Sequence, residues 1–198
     1  MKINKKIILI VFIFLVIVFL LLKIIFFNNK TINFGNNSVE EIKQNILNIN
    51  SYEALITVTV QSNKNSNTYV MKQKCVNQNY YQEIIEPSNI EGTIIEFDGK
   101  DLKISNTKLE ITKILKNYNH IIENNIMLGC FINDYTSYGS MEETETEIIL
   151  KTKNETNKYR VYKNLYIDKK TEEPIKLVIQ DINQNDEVYI LYNEIKIM

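Results

Sequence analysis

Tyr52-Glu53-Ala54-Leu55-Ile56-Thr57-Val58-Thr59-Val60 decides the fold. Ala54, Ile56, Val58 and Val60 alternate with Glu53, Leu55, Thr57 and Thr59, and a period of two puts successive side chains on opposite faces of a strand. Ser62-Asn63-Lys64-Asn65-Ser66 then supplies turn residues, and a second strand runs through Tyr69, Met71 and Val76. Further strands are expected at Tyr80 to Ile85, Thr93 to Phe97 and Leu102 to Ser105, with Asp98-Gly99 as the hairpin turn between the last two.

Outward from this meander the pattern changes twice. Before it, Ser38-Val39-Glu40-Glu41 reads as a capping box, in which the Ser38 hydroxyl accepts from the Glu41 amide while the Glu41 carboxylate reaches back. Val39, Ile42, Ile46 and Ile49 mark one face of the helix that follows. After it, residues 109–135 carry clustered apolar residues (Ile111, Ile114, Leu115, Ile121, Ile122, Ile126, Met127, Leu128, Phe131, Ile132), whose spacing predicts short helices. Strands resume near Glu145 and continue at Tyr159 to Asp168, Pro174 to Gln180 and Glu187 to Ile197. The order helix, meander, helical insert, meander implies an α+β fold, an antiparallel sheet carrying helices on one side.

The N-terminus is of another kind. Ile7 to Leu22 is sixteen residues without a polar side chain, behind the basic opening Met1-Lys2-Ile3-Asn4-Lys5-Lys6. Through Lys23 to Phe27 the helix would reach about 31 Å, the thickness of a hydrocarbon core, and Lys23 can snorkel to the interface. Basic residues before the span predict a cytoplasmic N-terminus and an extracytoplasmic remainder of the chain. Ile7 to Phe27 contains no Ala, Gly or Ser for a signal peptidase, and the first cysteine is Cys75, far from any lipoprotein processing site. Residues 1–27 are therefore expected to be a retained anchor, 28–37 a polar tether, and 38–198 one extracytoplasmic domain.

Of 23 basic residues, Lys2, Lys5, Lys6 and Lys23 lie in the anchor, which leaves 19 against 24 acidic residues, a net of −5. That balance disfavours nucleic acid as a partner. Cys75 and Cys130 form either one disulfide or two small apolar core positions, the second being favoured.

Several motifs, taken in order, resemble the LolA-like family. Tyr166-Ile167-Asp168-Lys169-Lys170-Thr171-Glu172-Glu173-Pro174-Ile175-Lys176-Leu177 is similar to that family's hairpin, in which a strand ends in Asp and a Pro opens the next. Glu86-Pro87 before Ile94-Ile95-Glu96-Phe97-Asp98-Gly99-Lys100, and the closing Tyr192-Asn193-Glu194-Ile195-Lys196-Ile197, resemble its other landmarks. The resemblance implies a curved, incompletely closed antiparallel barrel with a helical plug on its concave face. Within the family the anchor and lone outer domain resemble the GerS-like spore germination lipoproteins, although the lipobox cysteine is missing. That branch implies a partner, a peptidoglycan amidase of the CwlD type acting on spore cortex, and no chemistry of its own.

Neither catalytic, cofactor nor metal residues are expected. His120 is the lone imidazole and has no oriented companions in sequence; Gly-rich phosphate loops and Cys-x-x-Cys pairs are absent from the sequence. Glu142-Glu143-Thr144-Glu145-Thr146-Glu147 reads as a solvated turn leading into a strand. Tyr159, Tyr162, Tyr166, Tyr189 and Tyr192 form either a partner-binding aromatic surface or cross-strand packing. Two functions remain. In one, the barrel docks a cell-wall enzyme by a face or an edge, through which two copies can also pair as a homodimer. In the other, a lipid or lipoprotein acyl chain fills a concave pocket lined by Met71, Phe97, Met127, Leu128 and Phe131. A tethered chain cannot shuttle between membranes, which favours docking. The two differ in whether the helical insert fills the concavity.

Mass spectrometry of the membrane-extracted protein is expected to recover the N-terminal peptide intact. A mature N-terminus near Thr31 or Gly35 would overturn the anchor.

Overall fold

A computed structural model of the chain describes residues 37–62, 64–77, 79–118, 126–153 and 160–198. By its contacts the chain divides at Phe34, and every described residue belongs to the unit Gly35–Met198. Among the described residues no helix is long and apolar enough to cross a membrane. The expected anchor, most of the tether, and His120 lie outside them.

Helix α1 spans Val39–Leu47 and has the expected capping box: Ser38 Oγ accepts from the Glu41 amide at 3.3 Å, and the Ser38 amide donates to Glu41 Oε2 at 2.7 Å. Ile42 and Ile46 are buried; Ile49 lies past the cap at Asn48 but is buried too. Strands β1 (Ser51–Gln61), β2 (Ser66–Val76), β3 (Asn79–Glu86), β4 (Ile94–Phe97), β5 (Leu102–Asn106) and β6 (Ile111–Leu115) follow as a meander. Helix α2 (Leu128–Tyr138) leads to a second meander of β7 (Ser140–Glu143), β8 (Glu147–Lys153), β9 (Tyr162–Asp168), β10 (Pro174–Gln180) and β11 (Asp186–Ile197). All eleven form one open antiparallel sheet in the order β6-β5-β4-β3-β2-β1-β11-β10-β9-β8-β7. The first and last strands pair at its centre, from Tyr52 opposite Ile197 to Val60 opposite Val188.

One face of this sheet holds the core. Tyr52, Ala54, Ile56 and Val58 point inward from β1, next to Met71 and Cys75 of β2, and Ile148, Leu150, Leu165, Ile167, Leu177, Ile179, Val188 and Ile190 continue the layer through β8 to β11. Turn chemistry sets the register. Asp98 Oδ1 accepts from the amides of Lys100 and Asp101, with Gly99 at φ +89°, and Asp168 Oδ1 accepts from those of Lys170 and Thr171 at 2.9 and 2.7 Å. These bonds favour the charged carboxylate and hold both Asp residues below the usual range.

Three expectations need correction. Residues 109–135 are not all helical: Ile111–Leu115 is a strand, β6, because Leu115, Lys113 and Ile111 find ladder partners in Leu102, Ile104 and Asn106 of β5. The spacing of Ile111, Ile114 and Leu115 fits a helix, but sheet pairing outweighs so short a pattern. Strands resume at Ser140 and not near Glu145: β7 ends at Glu143, and the acidic run's exposed turn, closed by the Thr144 amide and the Glu147 carbonyl at 2.9 Å, leads into β8 as expected. The third strand of the second meander begins at Tyr162, and Tyr159 lies outside the described residues.

Ile56 is fully buried and Thr57 faces the other way, held by a 2.8 Å bond from Asn193 Nδ2. Ile56→Ala is expected to cost about 2–4 kcal/mol in urea melts, whereas Thr57→Ala costs under about 1 kcal/mol. Equal losses would mean that the pleat is inverted.

Candidate binding surfaces

The inner face is concave, and the reach of α2 shows it. Cys130 Sγ donates to Tyr80 Oη on β3 at 3.6 Å, while Asp134, one helical turn on, meets Lys163 on β9 at 2.6 Å. Four residues span about 6 Å of helix, but β3 and β9 are five strand spacings apart, about 24 Å in a flat sheet. The sheet must therefore curl around the helix.

Polar groups seat the start of this helix. The side chain of its N-cap, Met127, makes no capping bond. The Leu128 amide donates instead to Tyr52 Oη at 3.1 Å; Tyr52 donates to Gln73 Oε1 at 3.1 Å, and Gln73 Nε2 donates to the Ile126 carbonyl at 3.3 Å. Gln82 Nε2 reaches Met127 Sδ at 3.2 Å. Burial raises the Tyr52 hydroxyl far above its ordinary pKa, so it keeps the proton it donates. Gly129 lets the helix approach: a Cβ there would stand 3.1 Å from Tyr80 Oη.

Met71, Phe97, Met127, Leu128 and Phe131 are thus brought together, all within one buried cluster. Met127, Leu128 and Phe131 are 1, 0 and 0% exposed, so they occupy the middle of the concavity as core. Cys75 and Cys130 are buried thiols with no disulfide between them, and burial pushes the Cys130 thiol up. Of the tyrosines, Tyr162, Tyr166 and Tyr189 stand half-buried on the outer face, where Lys176 Nζ sits 3.9 Å above the Tyr166 ring. Tyr192 faces inward and is buried, so it belongs to no surface.

The Lys163–Asp134 pair went unread in the sequence, with Lys163 only 1% exposed. Its signal was present. Lys163 shares the inward parity of Leu165 and Ile167, and Asp134 lies three and four residues beyond the buried Phe131 and Cys130.

Outside, two grooves of about 550 and 530 Å³ share Lys74 and Tyr81. Along their floor runs a single cross-strand row over seven strands: Lys196, Glu53, Lys74, Tyr81, Glu96, Lys103 and Ile114. Lys74 pairs with Glu53 at 2.5 Å and Lys103 with Glu96 at 2.7 Å, and the first of these lowers the Glu53 pKa from its usual range. The row is nearly charge-neutral, with a tyrosine at its centre. Among the described residues no group of three or more His, Cys, Asp or Glu is placed to hold a metal ion.

The fold is an open antiparallel sheet with helices on its inner face. A chain from the complex of the CwlD amidase with the GerS lipoprotein of Clostridioides difficile aligns at TM-score 0.52 and 23% identity, over 82% of this chain and 98% of that one. An uncharacterized conserved protein from Thermus thermophilus aligns at TM-score 0.51 and 13% identity, over 82% and 88%. A LolA superfamily protein from Nitrosomonas europaea aligns at 0.44 and 12%, over 82% and 94%. No family model and no curated protein matches the sequence.

Asp134→Ala leaves the Lys163 ammonium buried and uncompensated, and is expected to cost about 3–5 kcal/mol by urea melt. Replacing both partners with apolar residues, Asp134→Leu with Lys163→Met, should recover most of that loss. A double variant as unstable as the single one would show that the pair itself stabilises the fold.

Proposed function

We propose that this domain is a membrane-tethered, non-enzymatic module that binds a cell-wall amidase of the CwlD type and supports its action on spore cortex. The observation that carries this reading is the filled concavity. Met127, Leu128 and Phe131 stand where an acyl chain would lie, and the Tyr52, Gln73 and Lys163 contacts fix the helix over that space. Binding then falls to the outer surface. The fold shared with a chain of the GerS–CwlD complex supports an amidase as the occupant. The anchor expected at residues 7–27 confines domain and enzyme to one membrane surface, where raised effective concentration makes a modest affinity sufficient.

The outer furrow is the docking face we assign. Tyr81 supplies a large, half-buried ring at its centre, Val76 and Ile114 line the same groove farther along, and tyrosine at the centre of a polar rim is a common energetic anchor.

A fragment from Asn28 to Met198 is expected to bind the amidase of its own organism and to raise its activity on cortex peptidoglycan. Tyr81→Ala should weaken binding by about tenfold or more, the size of a central hot spot, with little change in the urea midpoint. A fragment that neither binds nor stimulates, and that retains phospholipid through purification, would return the concave face to lipid carriage.

A further inference from the structure

The other half of the sheet has an outer cleft of its own, of about 440 Å³, a volume usual for small-ligand sites. Two cross-strand rows floor it. Ser140, Lys151 and Asn164 lie side by side on β7, β8 and β9, and Lys153, Tyr162 and Gln180 on β8, β9 and β10. Tyr138, at the end of α2, and Gln184, in the turn between β10 and β11, complete the lining. From β7 to β10 is three strand spacings, about 14 Å, the length of a short chain of sugar rings.

The chemistry of this cleft is narrow. Among the described residues no aliphatic and no acidic side chain lines it, so an acyl chain finds nothing to pack against and a metal ion finds no carboxylate. Nor does it suit an anion: Lys151 Nζ is committed to Glu142 at 2.6 Å, and Lys153 Nζ stands 5.6 Å from the centroid of the Tyr138 ring. A peptide strand cannot add to the floor, because β8, β9 and β10 have ladder partners on both sides. What remains is uncharged hydroxyls and amides beside two aromatic rings. Thr152, also in the lining, is buried, and its hydroxyl has no hydrogen-bond partner among the described residues. The amides are pre-set: Gln180 Oε1 accepts from Asn164 Nδ2 at 3.3 Å while Gln180 Nε2 donates to Asp186 Oδ1 at 2.7 Å. Gln184 stands at φ +64° in a turn held by Asp181, whose Oδ1 accepts from the Asn183 and Asn185 amides, each at 2.8 Å. Lys153 faces Tyr162 across the ladder and lies over the Tyr138 ring, so both rings border the same end of the cleft.

We propose that this cleft is a carbohydrate site that takes a short, uncharged oligosaccharide. Such a ligand is dense in hydroxyls and presents flat C–H faces, which match fixed donors and acceptors beside tyrosine rings, and an ordered site loses little entropy when it binds. The cleft shares no residue with the furrow around Tyr81, so the inference goes beyond the amidase reading and does not depend on it.

Saturation-transfer NMR and calorimetry on the full chain in phospholipid nanodiscs, with chitotetraose and cellotetraose as separate probes, test the site. Saturation transfer to at least one sugar is expected, with a Kd on the order of 1 mM or tighter. Preference for chitotetraose assigns an N-acetylated glycan as the source of the ligand, and preference for cellotetraose an unsubstituted glucan. Tyr162→Ala and Gln184→Gly are each expected to weaken binding about tenfold with the urea midpoint kept; glycine accepts the positive φ at 184. Tyr81→Ala, in the furrow, is expected to leave sugar binding unchanged. Three results would overturn the proposal: no transfer to either sugar, equal binding by the wild-type chain and both cleft variants, or loss of sugar binding in Tyr81→Ala. Should Tyr162→Ala lower the urea midpoint, Gln184→Gly, in an exposed turn, decides alone.

Discussion

The Leu128 amide resting on the Tyr52 hydroxyl is the contact on which this architecture turns. A helix leaves its first amides without partners, and here the start of α2 is buried against the sheet, out of reach of water. Ser, Thr, Asp or Asn at the cap is the usual remedy, but Met127 stands there. The sheet supplies the acceptor instead, from the central strand β1. Tyr52 therefore joins two requirements in one atom: it satisfies the helix, and it fixes where along the concave face the helix begins. Losing this hydroxyl would leave an unmade bond at both the Leu128 amide and Gln73, each in low-dielectric surroundings where such a loss costs about 1–3 kcal/mol.

The buried pair at the far side of the helix has a different character. Lys163 and Asp134 lose most of their hydration to meet at 2.6 Å, and the attraction gained roughly offsets that loss. Such a pair adds little net stability. It does penalise any rotation of α2 that leaves one charge alone. Tyr52 holds the helix at its start and Asp134 holds its azimuth, so the orientation is over-determined, as expected where Phe131 and Leu128 must fill one particular space.

How far the sequence led depends on the length scale of each feature. The alternation from Tyr52 to Val60, the Asp98 and Asp168 turns and the Ser38 cap are local, and each contains its own physical cause within a few residues. At Ile111–Leu115 both the helical and the strand template fit five residues, and only the presence of β5 decides between them. Tyr192 parts from Tyr162, Tyr166 and Tyr189 because its face depends on a register shift between Leu55 and Ile56, where β1 meets β11. The polar seat of α2 joins residues 52, 73 and 128, and no single-sequence pattern links positions so far apart.

Filling the concavity has a further physical consequence. An empty apolar cleft offers a ligand hydrophobic burial at about 25 cal/mol per Å², whereas the furrow offers charges that are already paired, such as Lys74 with Glu53 and Lys103 with Glu96. A partner that displaces those pairs gains little, since exposed ion pairs are worth about 0–1 kcal/mol and the new ones replace the old. Specificity can still arise, because a partner that misplaces a charge breaks a pair and receives nothing in return. Affinity must then come from apolar groups such as Tyr81, Val76 and Ile114, and these make only a small patch. Weak, selective binding of this kind would suit the membrane-tethered docking proposed above, in which the tether supplies the concentration that the surface does not.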